Sequence, residues 1–311
     1  MPLHRLRRDR GRHRGGAAVS VLLPGSRREA LELLARSNGA AMPIAGGTDL
    51  LVHWPQRQEE HDRAYLDLSG IAELRPVEWT PDALVLGGLT TYWDVIRDAR
   101  VGRELPLLAV AARQVGSIQI QTRGTWAGNI VNGSPAADGV PVLMAYDAVV
   151  VLESVAGREE VPLERFYEGY KQMRRRPDQL VVAIRIPRRP YTFQRFVKIG
   201  SRRAQAIAKV GLAVTHSAAG GGGWRVVAAS VAPTIRRCPS IERLLEEQAA
   251  VHSPEELLPA IARDVTPIDD IRSTAEYRKL AMARVLFYDV FRGREQGAGS
   301  TDHGRRMTDN G

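Results

Sequence analysis

Apolar residues first recur at helical spacing, with Ser26 followed by Glu29 and then Ala30, Leu31, Leu33 and Leu34. That is a capping box opening an amphipathic helix, which should close near Asn38-Gly39. Ala41 to Ala45 then reads as a short buried strand running into Gly46-Gly47, and Thr48 to Val52 as a further strand or helix. Ala64 to Leu68 and Ala83 to Gly87 have strand character, while Tyr92 to Arg97 and Leu105 to Val115 have helical periodicity. The pattern changes at Val149: Val149 to Leu152, Leu180 to Ile186, Phe193 to Ile199, Val210 to Ser217 and Trp224 to Val231 all read as strands. The last three predict an antiparallel meander turning at Gly220 to Gly223. Helices near Ser240 to Gln248, Pro254 to Arg263 and Thr274 to Phe291 would cover it. A domain boundary is expected near Pro187-Arg-Arg-Pro190, and a Gly-, Asp-, Arg- and Ser-rich disordered tail over 293–311.

Composition adds exclusions. The 311 residues are 44% hydrophobic and 25% charged, as in ordinary globular proteins, which argues against a disordered or collagen-like chain. Cys238 is the single cysteine, so an internal disulfide, an iron–sulfur cluster and a thiolate zinc site are excluded and a reducing cytoplasm is expected. No apolar run is long enough to span a bilayer: the stretch Ala17 to Leu23 behind the Arg7-Arg8 pair stops at Pro24-Gly25. The net charge of +9 is concentrated in the first residues, where Arg5, Arg7, Arg8, Arg10, Arg12 and Arg14 face only Asp9. A solvated basic tail over 1–17 explains this better than a nucleic-acid-reading arm.

Two loops carry the candidate chemistry. Ala45-Gly46-Gly47-Thr48-Asp49 offers consecutive N–H groups and a hydroxyl directly after an apolar run, as a pyrophosphate needs, although a plain tight turn has the same composition. Thr122 to Asp138 is a long stretch dense in Gly, Asn, Ser and Thr, expected to be irregular. Within it Thr125, Gly128 and Asn129 are candidate phosphate or ribose contacts, Trp126 either packs near a ligand or fills the interior, and Asp138 either contacts a ligand or caps the next helix. Neither loop is a P-loop or a GxGxxG dinucleotide fingerprint.

The pair PIAGGTDLLV at 43–52 and TRGTWAGNIVNGSPAAD at 122–138 resembles the two flavin-binding signatures of the medium, FAD-binding subunit of molybdenum hydroxylases, the group of xanthine and carbon monoxide dehydrogenases. RFVKIGSRRAQAIAKV at 195–210, VAPTIRRC at 231–238 and DIRSTAEYRKLAMARVL at 270–286 extend the resemblance over roughly residues 19 to 292. It implies an α+β fold. A two-subdomain FAD-binding domain of the vanillyl-alcohol-oxidase (PCMH) type, over 18–187, would be followed by a small domain of antiparallel sheet and helices over 188–292.

The resemblance also implies site residues. Pro43, Ile44, Ala45, Gly46, Gly47, Thr48, Asp49 and Leu50 would wrap the FAD pyrophosphate; Thr125, Trp126, Ala127, Gly128, Asn129 and Asp138 would form the second loop. Val181 and Lys198 would lie near the flavin. Ala127 departs from the usual Gly-Gly before Asn, which matters only if that position needs positive φ. Implied partners are a large molybdopterin subunit and a small iron–sulfur subunit, in a dimer of heterotrimers. Electrons would pass through FAD to NAD, a quinone or dioxygen, with molybdopterin and iron–sulfur clusters held only by the partners.

The segment SRRAQAIAKV looks more like xanthine dehydrogenase subunits than carbon monoxide dehydrogenase ones. No residue is nominated as a catalytic acid, base or nucleophile, since redox chemistry belongs to the cofactor. The histidines show no metal-ligand spacing, and no metal site is expected. Two alternatives are a stand-alone FAD-dependent oxidase of the same superfamily and a nucleic-acid-binding protein driven by the arginine tail. The latter explains neither glycine loop.

Overall fold

The computed structural model describes residues 20–53, 63–202, 205–219 and 222–295. The chain begins β1 (Ser20–Leu22), α1 (Arg27–Ser37), β2 (Ala41–Ile44), α2 (Leu50–His53) and β3 (Ala64–Asp67), and the strands form a parallel sheet ordered β1-β3-β2. Helix α1 starts where expected because the Ser26 hydroxyl accepts the Glu29 N–H (3.2 Å), and it stops at Asn38 in left-handed conformation. Because β2 and β3 run parallel, the 45–49 loop leaves at the carboxyl edge of this sheet.

The next elements are β4 (Val77–Trp79), β5 (Ala83–Gly87), α3 (Tyr92–Arg97), α4 (Ala99–Glu104), α5 (Pro106–Arg113), α6 (Ile118–Gln121), α7 (Trp126–Asn132) and α8 (Gly139–Ala145). After them come β6 (Val149–Ser154), β7 (Gly157–Pro162), the small hairpin β8 (Tyr167–Gly169) and β9 (Gln172–Met173), and β10 (Leu180–Pro187). Five strands make an antiparallel sheet ordered β4-β5-β10-β6-β7. One face, through Val151, Leu180 and Val182, packs on Leu34 of α1 and Leu66 of β3; the other, through Leu84, Val150, Leu152 and Ile184, packs on Val95, Leu108 and Val142. A bulge between Val181 and Ala183 breaks strict alternation in β10 and turns Val182 and Ala183 toward the same cluster.

The remaining strands are β11 (Phe193–Ile199), β12 (Val210–Ser217), β13 (Gly223–Ala229) and β14 (Arg236–Arg237), paired in sequence order as an antiparallel sheet. The expected meander is therefore present; the Gly220-Gly221 part of its turn lies outside the described residues. Helices α9 (Pro239–Glu246), α10 (Leu258–Asp264) and α11 (Ala275–Val285) follow, then a π-helical stretch Leu286–Phe291 and α12 (Arg292–Glu295). Leu212, Val214, Val226 and Ala228 face these helices, whereas Ala213, Val227 and Ala229 join the same core as Leu143 and Tyr146 of the preceding domain. The Thr215 hydroxyl, buried in that interface, donates to the Ala145 carbonyl at 2.8 Å. The basic tail over 1–17 lies outside the described residues, as does all of 293–311 beyond Glu295.

Candidate functional site

Gly46 to Asp49 leave β2 as a turn rather than a strand. Gly47 takes φ +70, which glycine adopts without strain, and its carbonyl accepts the Leu51 N–H to start α2. The N–H groups of Gly46, Gly47, Thr48 and Asp49 find no acceptor among the described residues. Pro43 and Ile44 lie within β2, paired with Leu66 and Asp67 of β3, and Leu50 begins α2. Ala45 packs against the core of α1.

The stretch 122–138 is not irregular throughout, as its composition suggested. Its middle forms α7, because Thr125 has extended backbone and its hydroxyl accepts the Gly128 N–H at 2.9 Å. The approach is so close that a Cβ at Gly128 would stand 2.8 Å from that hydroxyl. Ala127, one position earlier, is helical with negative φ, so its methyl group costs no backbone strain. Trp126 is fully buried, its ring centroid 5.0 Å from that of Tyr92; the interior alternative holds for its side chain. Thr90 Oγ1, Trp126 Nε1 and Asn129 Oδ1 are buried without hydrogen-bond partners among the described residues.

The two loops touch. A Cβ on Gly46 would lie 1.9 Å from the Arg123 carbonyl oxygen, so only glycine lets these backbones meet. Next to that contact, a Cβ on Gly124 would stand 3.3 Å from the Thr48 hydroxyl. Asn132 Nδ2 donates to Asp49 Oδ1 at 3.0 Å, a second tie across 83 positions.

Asp138 precedes α8 but makes no capping hydrogen bond; its carboxylate instead accepts from Lys198 Nζ at 2.6 Å. Lys198, on β11, also donates to the Gln114 carbonyl at 2.9 Å. Burial pushes the Asp138 carboxyl up to about 6 against the opposing pull of Lys198. Val181 is buried at the β10 bulge and belongs to the main core.

Beyond Asp138 opens a cavity of about 800 Å³ between the second loop and the C-terminal domain. Ser134 and Asp138 line it, with Ile120, Tyr170, Ile207 and Arg278 among the other walls. Neither the first glycine loop nor Arg123 is among the lining residues; the link to the cavity is Ile120, a lining residue whose carbonyl accepts the Gly124 N–H. Tyr170 was missed in the sequence because it lies in no motif, and Ile207 was not singled out within the quoted segment SRRAQAIAKV. Tyr170 sits at the tip of the β8–β9 hairpin, which is anchored to α7 by the Tyr167 hydroxyl donating to the Ile130 carbonyl (2.9 Å).

Comparison with known families supplies the identity of this arrangement. Residues 17–189 match the family described as the FAD binding domain in molybdopterin dehydrogenase, and residues 195–293 match the CO dehydrogenase flavoprotein C-terminal domain. The chain belongs to this flavoprotein family. FAD is its cofactor, and it is an oxidoreductase subunit.

The flavoprotein is 30% identical over 257 residues to the xanthine dehydrogenase FAD-binding subunit of Escherichia coli O157:H7, covering 80% of this chain and 87% of that one. It is 32% identical over 266 residues to the carbon monoxide dehydrogenase medium chain of Hydrogenophaga pseudoflava, covering 84% and 91%. In structure it is similar to carbon monoxide dehydrogenase from Hydrogenophaga pseudoflava at a TM-score of 0.76 and 29% identity, covering 86% of this chain and 94% of that one. The fold is shared with quinoline 2-oxidoreductase from Pseudomonas putida 86 at a TM-score of 0.79 and 22% identity, with coverage of 92% and 100%.

The residues present suit FAD. The open N–H groups of Gly46 to Asp49 are donors for phosphate oxygens, and the orphaned Thr90 and Asn129 oxygens leave polar capacity at the start of α7, where the Thr90 carbonyl accepts the Trp126 N–H. Among the described residues no group of three His, Cys, Asp or Glu could hold a metal ion, and no helix is long and apolar enough to cross a membrane.

Proposed function

We propose that this flavoprotein is the electron-transfer subunit of a xanthine-dehydrogenase-like molybdenum hydroxylase. It would take electrons from iron–sulfur clusters of a small partner subunit and pass them to NAD, a quinone or dioxygen, while a large molybdopterin subunit hydroxylates the substrate. The observation that carries this reading is the contact of the two glycine loops at Gly46 and Arg123 beside an open cavity of about 800 Å³. The purine-oxidising branch rests on the segment SRRAQAIAKV and on the Escherichia coli relative. The assembly would be a dimer of heterotrimers in the cytoplasm, with molybdopterin and iron–sulfur clusters in the partners alone. Residues 18–187 would form the FAD-binding domain and 188–292 the C-terminal domain.

FAD, when bound, supplies the ability to exchange electrons singly and in pairs. The chain's own residues bind, orient and shield it. Pro43 to Leu50 would wrap the pyrophosphate, with the Gly46–Asp49 N–H groups donating and the Thr48 hydroxyl beside them. The Thr125–Asn129 segment would close the other side, using the backbone of Trp126 and Ala127 rather than the Trp126 ring. Asp138 and Lys198 hold the end of the second loop against β11, and Val181, buried at the bulge of the central strand β10, would pack near the flavin. On this reading the redox chemistry belongs to the flavin, and substrate choice would fall to the molybdenum partner.

The test is the absorption spectrum of the purified chain, followed by denaturation and identification of the released flavin. Released FAD near one per chain is expected. FMN, or no flavin after incubation with excess FAD, overturns the reading. A yellow protein that turns over substrate with no partner subunits would point to the stand-alone oxidase instead.

A further inference from the structure

Arg278, on α11, is a buried cation with one donor unused. The residue is 2% exposed and lines the cavity. Its Nη1 donates to the Lys209 and Ser230 carbonyls, both at 2.8 Å, and its Nη2 donates to Asp270 Oδ1 at 2.7 Å. Nε is buried and has no hydrogen-bond partner among the described residues. An unpaired donor on a buried charged group is costly, so this position calls for an acceptor from outside the chain.

Asp270 could close the fork and does not. A carboxylate can accept from Nε and Nη2 of one arginine together. Here Oδ2 of Asp270 instead accepts from Arg272 Nη1 at 2.9 Å, and Oδ1 also accepts the N–H groups of Arg272 and Ser273 at 2.9 and 3.1 Å. Those bonds hold the carboxylate within its own turn, while the bonds on Nη1 and Nη2 hold the guanidinium plane. The free Nε–H is therefore fixed in direction before any ligand arrives, which lowers the ordering cost of binding.

Chemistry limits the missing acceptor. FAD carries acceptor oxygens on its phosphates, on its sugar chain and on the pyrimidine carbonyls of its ring. On the flavin reading the phosphates go to the N–H groups of Gly46 to Asp49, none of which lines the cavity. Ile120, Ala136, Ala206 and Ile207 give the cavity apolar walls, which suit an aromatic ring better than a hydroxylated chain. The acceptor left for Nε is a ring carbonyl.

Charge points the same way. Among the charged lining residues and their ion-pair partners, three cations, Lys198, Arg272 and Arg278, meet two carboxylates, Asp138 and Asp270. The one carboxylate of Asp270 serves both arginines, so the wall keeps a positive excess. Such a wall favours a ligand that gains negative charge, as a flavin ring does on reduction.

We propose that Arg278 donates its free Nε–H to a pyrimidine carbonyl oxygen of the bound flavin, and that its positive charge stabilises the reduced ring over the oxidised one. The proposal rests on the flavin reading and deepens it by naming the residue that sets the flavin potential. Arg278 acts by differential binding: holding the reduced cofactor more tightly than the oxidised one raises its midpoint potential.

The test reconstitutes the full-length apo chain with FAD as wild type, Arg278→Met and Arg278→Lys. FAD affinity, the midpoint potential of the bound flavin against a reference dye, and thermal unfolding of the apo chain are measured. Arg278→Met is expected to bind FAD at least tenfold more weakly and to lower the potential by a tenfold change in the reduction equilibrium, about 30 mV for a two-electron couple. Arg278→Lys keeps the charge and should recover most of the potential. An unchanged potential in Arg278→Met that still binds FAD overturns the proposal and leaves water as the partner of Nε. A fall in potential as large in Arg278→Lys as in Arg278→Met also overturns it, because the charge would not be the cause. So does a loss of FAD binding in both variants that only follows lost apo-chain stability, since Arg278 would then merely brace the 270–273 turn. Should Arg278→Met fail to fold, Arg278→Gln takes its place under the same criteria. Wild type that takes up no FAD is instead a failure of the flavin reading.

Discussion

Lys198 Nζ lies 2.6 Å from an Asp138 carboxylate oxygen, and the pair joins the end of the second glycine-rich loop to the first strand of the C-terminal sheet. Both side chains are nearly buried, Lys198 7% and Asp138 13% exposed. Removing one partner of such a pair leaves a desolvated charge, and typically costs about 3–5 kcal/mol. Lys198→Met is therefore expected to lower the unfolding midpoint and to reduce FAD retention, whereas Lys198→Arg should keep part of both. Thermal unfolding followed with FAD release measures the two effects together.

The same pair sets a pH dependence. Asp138 titrates near 6 in the folded chain, against about 3.9 when unfolded. A carboxyl raised on folding favours the native state when protonated, so its contribution is full below about pH 4 and is lost as pH rises through about 6. Stability measured from pH 4 to 7 should show this decline in the wild type, superimposed on the other carboxylates. Asp138→Asn should flatten that component, and an unchanged slope would remove Asp138 as its source.

Gly46 cannot be replaced without separating the loops. A Cβ there would stand 1.9 Å from the Arg123 carbonyl oxygen, which no small rotation relieves. Gly46→Ala is expected to weaken FAD binding by tenfold or more while the far-UV spectrum stays close to wild type. Titration of the apo chain with FAD decides it.

Ala127 should behave as an ordinary helical alanine. Since its φ is negative within α7, Ala127→Gly is expected to leave FAD affinity unchanged and to cost about 0.5–1 kcal/mol of stability. A gain in FAD affinity would show that the methyl group obstructs the cofactor.

Cys238 should be inert. Burial, with the nearby charges of Asp264 and Glu242, pushes its thiol well above the ordinary range. An aromatic disulfide reagent is expected to leave it unmodified in the native chain and to titrate one thiol after denaturation. Rapid native reaction would indicate local opening around α9.

Several features were legible in the residues because local chemistry sets them. The Ser26 cap and the Asn38 stop bound α1, and the continuous apolar runs from Phe193 to Ala229 pair as neighbours in chain order. Other elements were hidden. Strand β7, Gly157–Pro162, carries Arg158, Glu159 and Glu160 because it is an edge strand, so its hydrophobic signal is weak. Helix α7 was hidden by its glycine and asparagines, which disfavour helix alone; the Thr125 cap and the burial of Trp126 and Ile130 override them.

The sequence alone determined the glycine positions, the single thiol and the absence of metal-ligand spacing, because each follows from residue type and short-range order. It also carried the family resemblance, because the two loop signatures stand in fixed order along the chain. Tertiary structure decided which of these groups meet. Gly46 reaches Arg123, Asp49 reaches Asn132 and Asp138 reaches Lys198 only when β2, α7 and β11 are brought together by packing on both faces of the sheets. Those contacts span tens of residues, and local propensity holds no information about partners so distant.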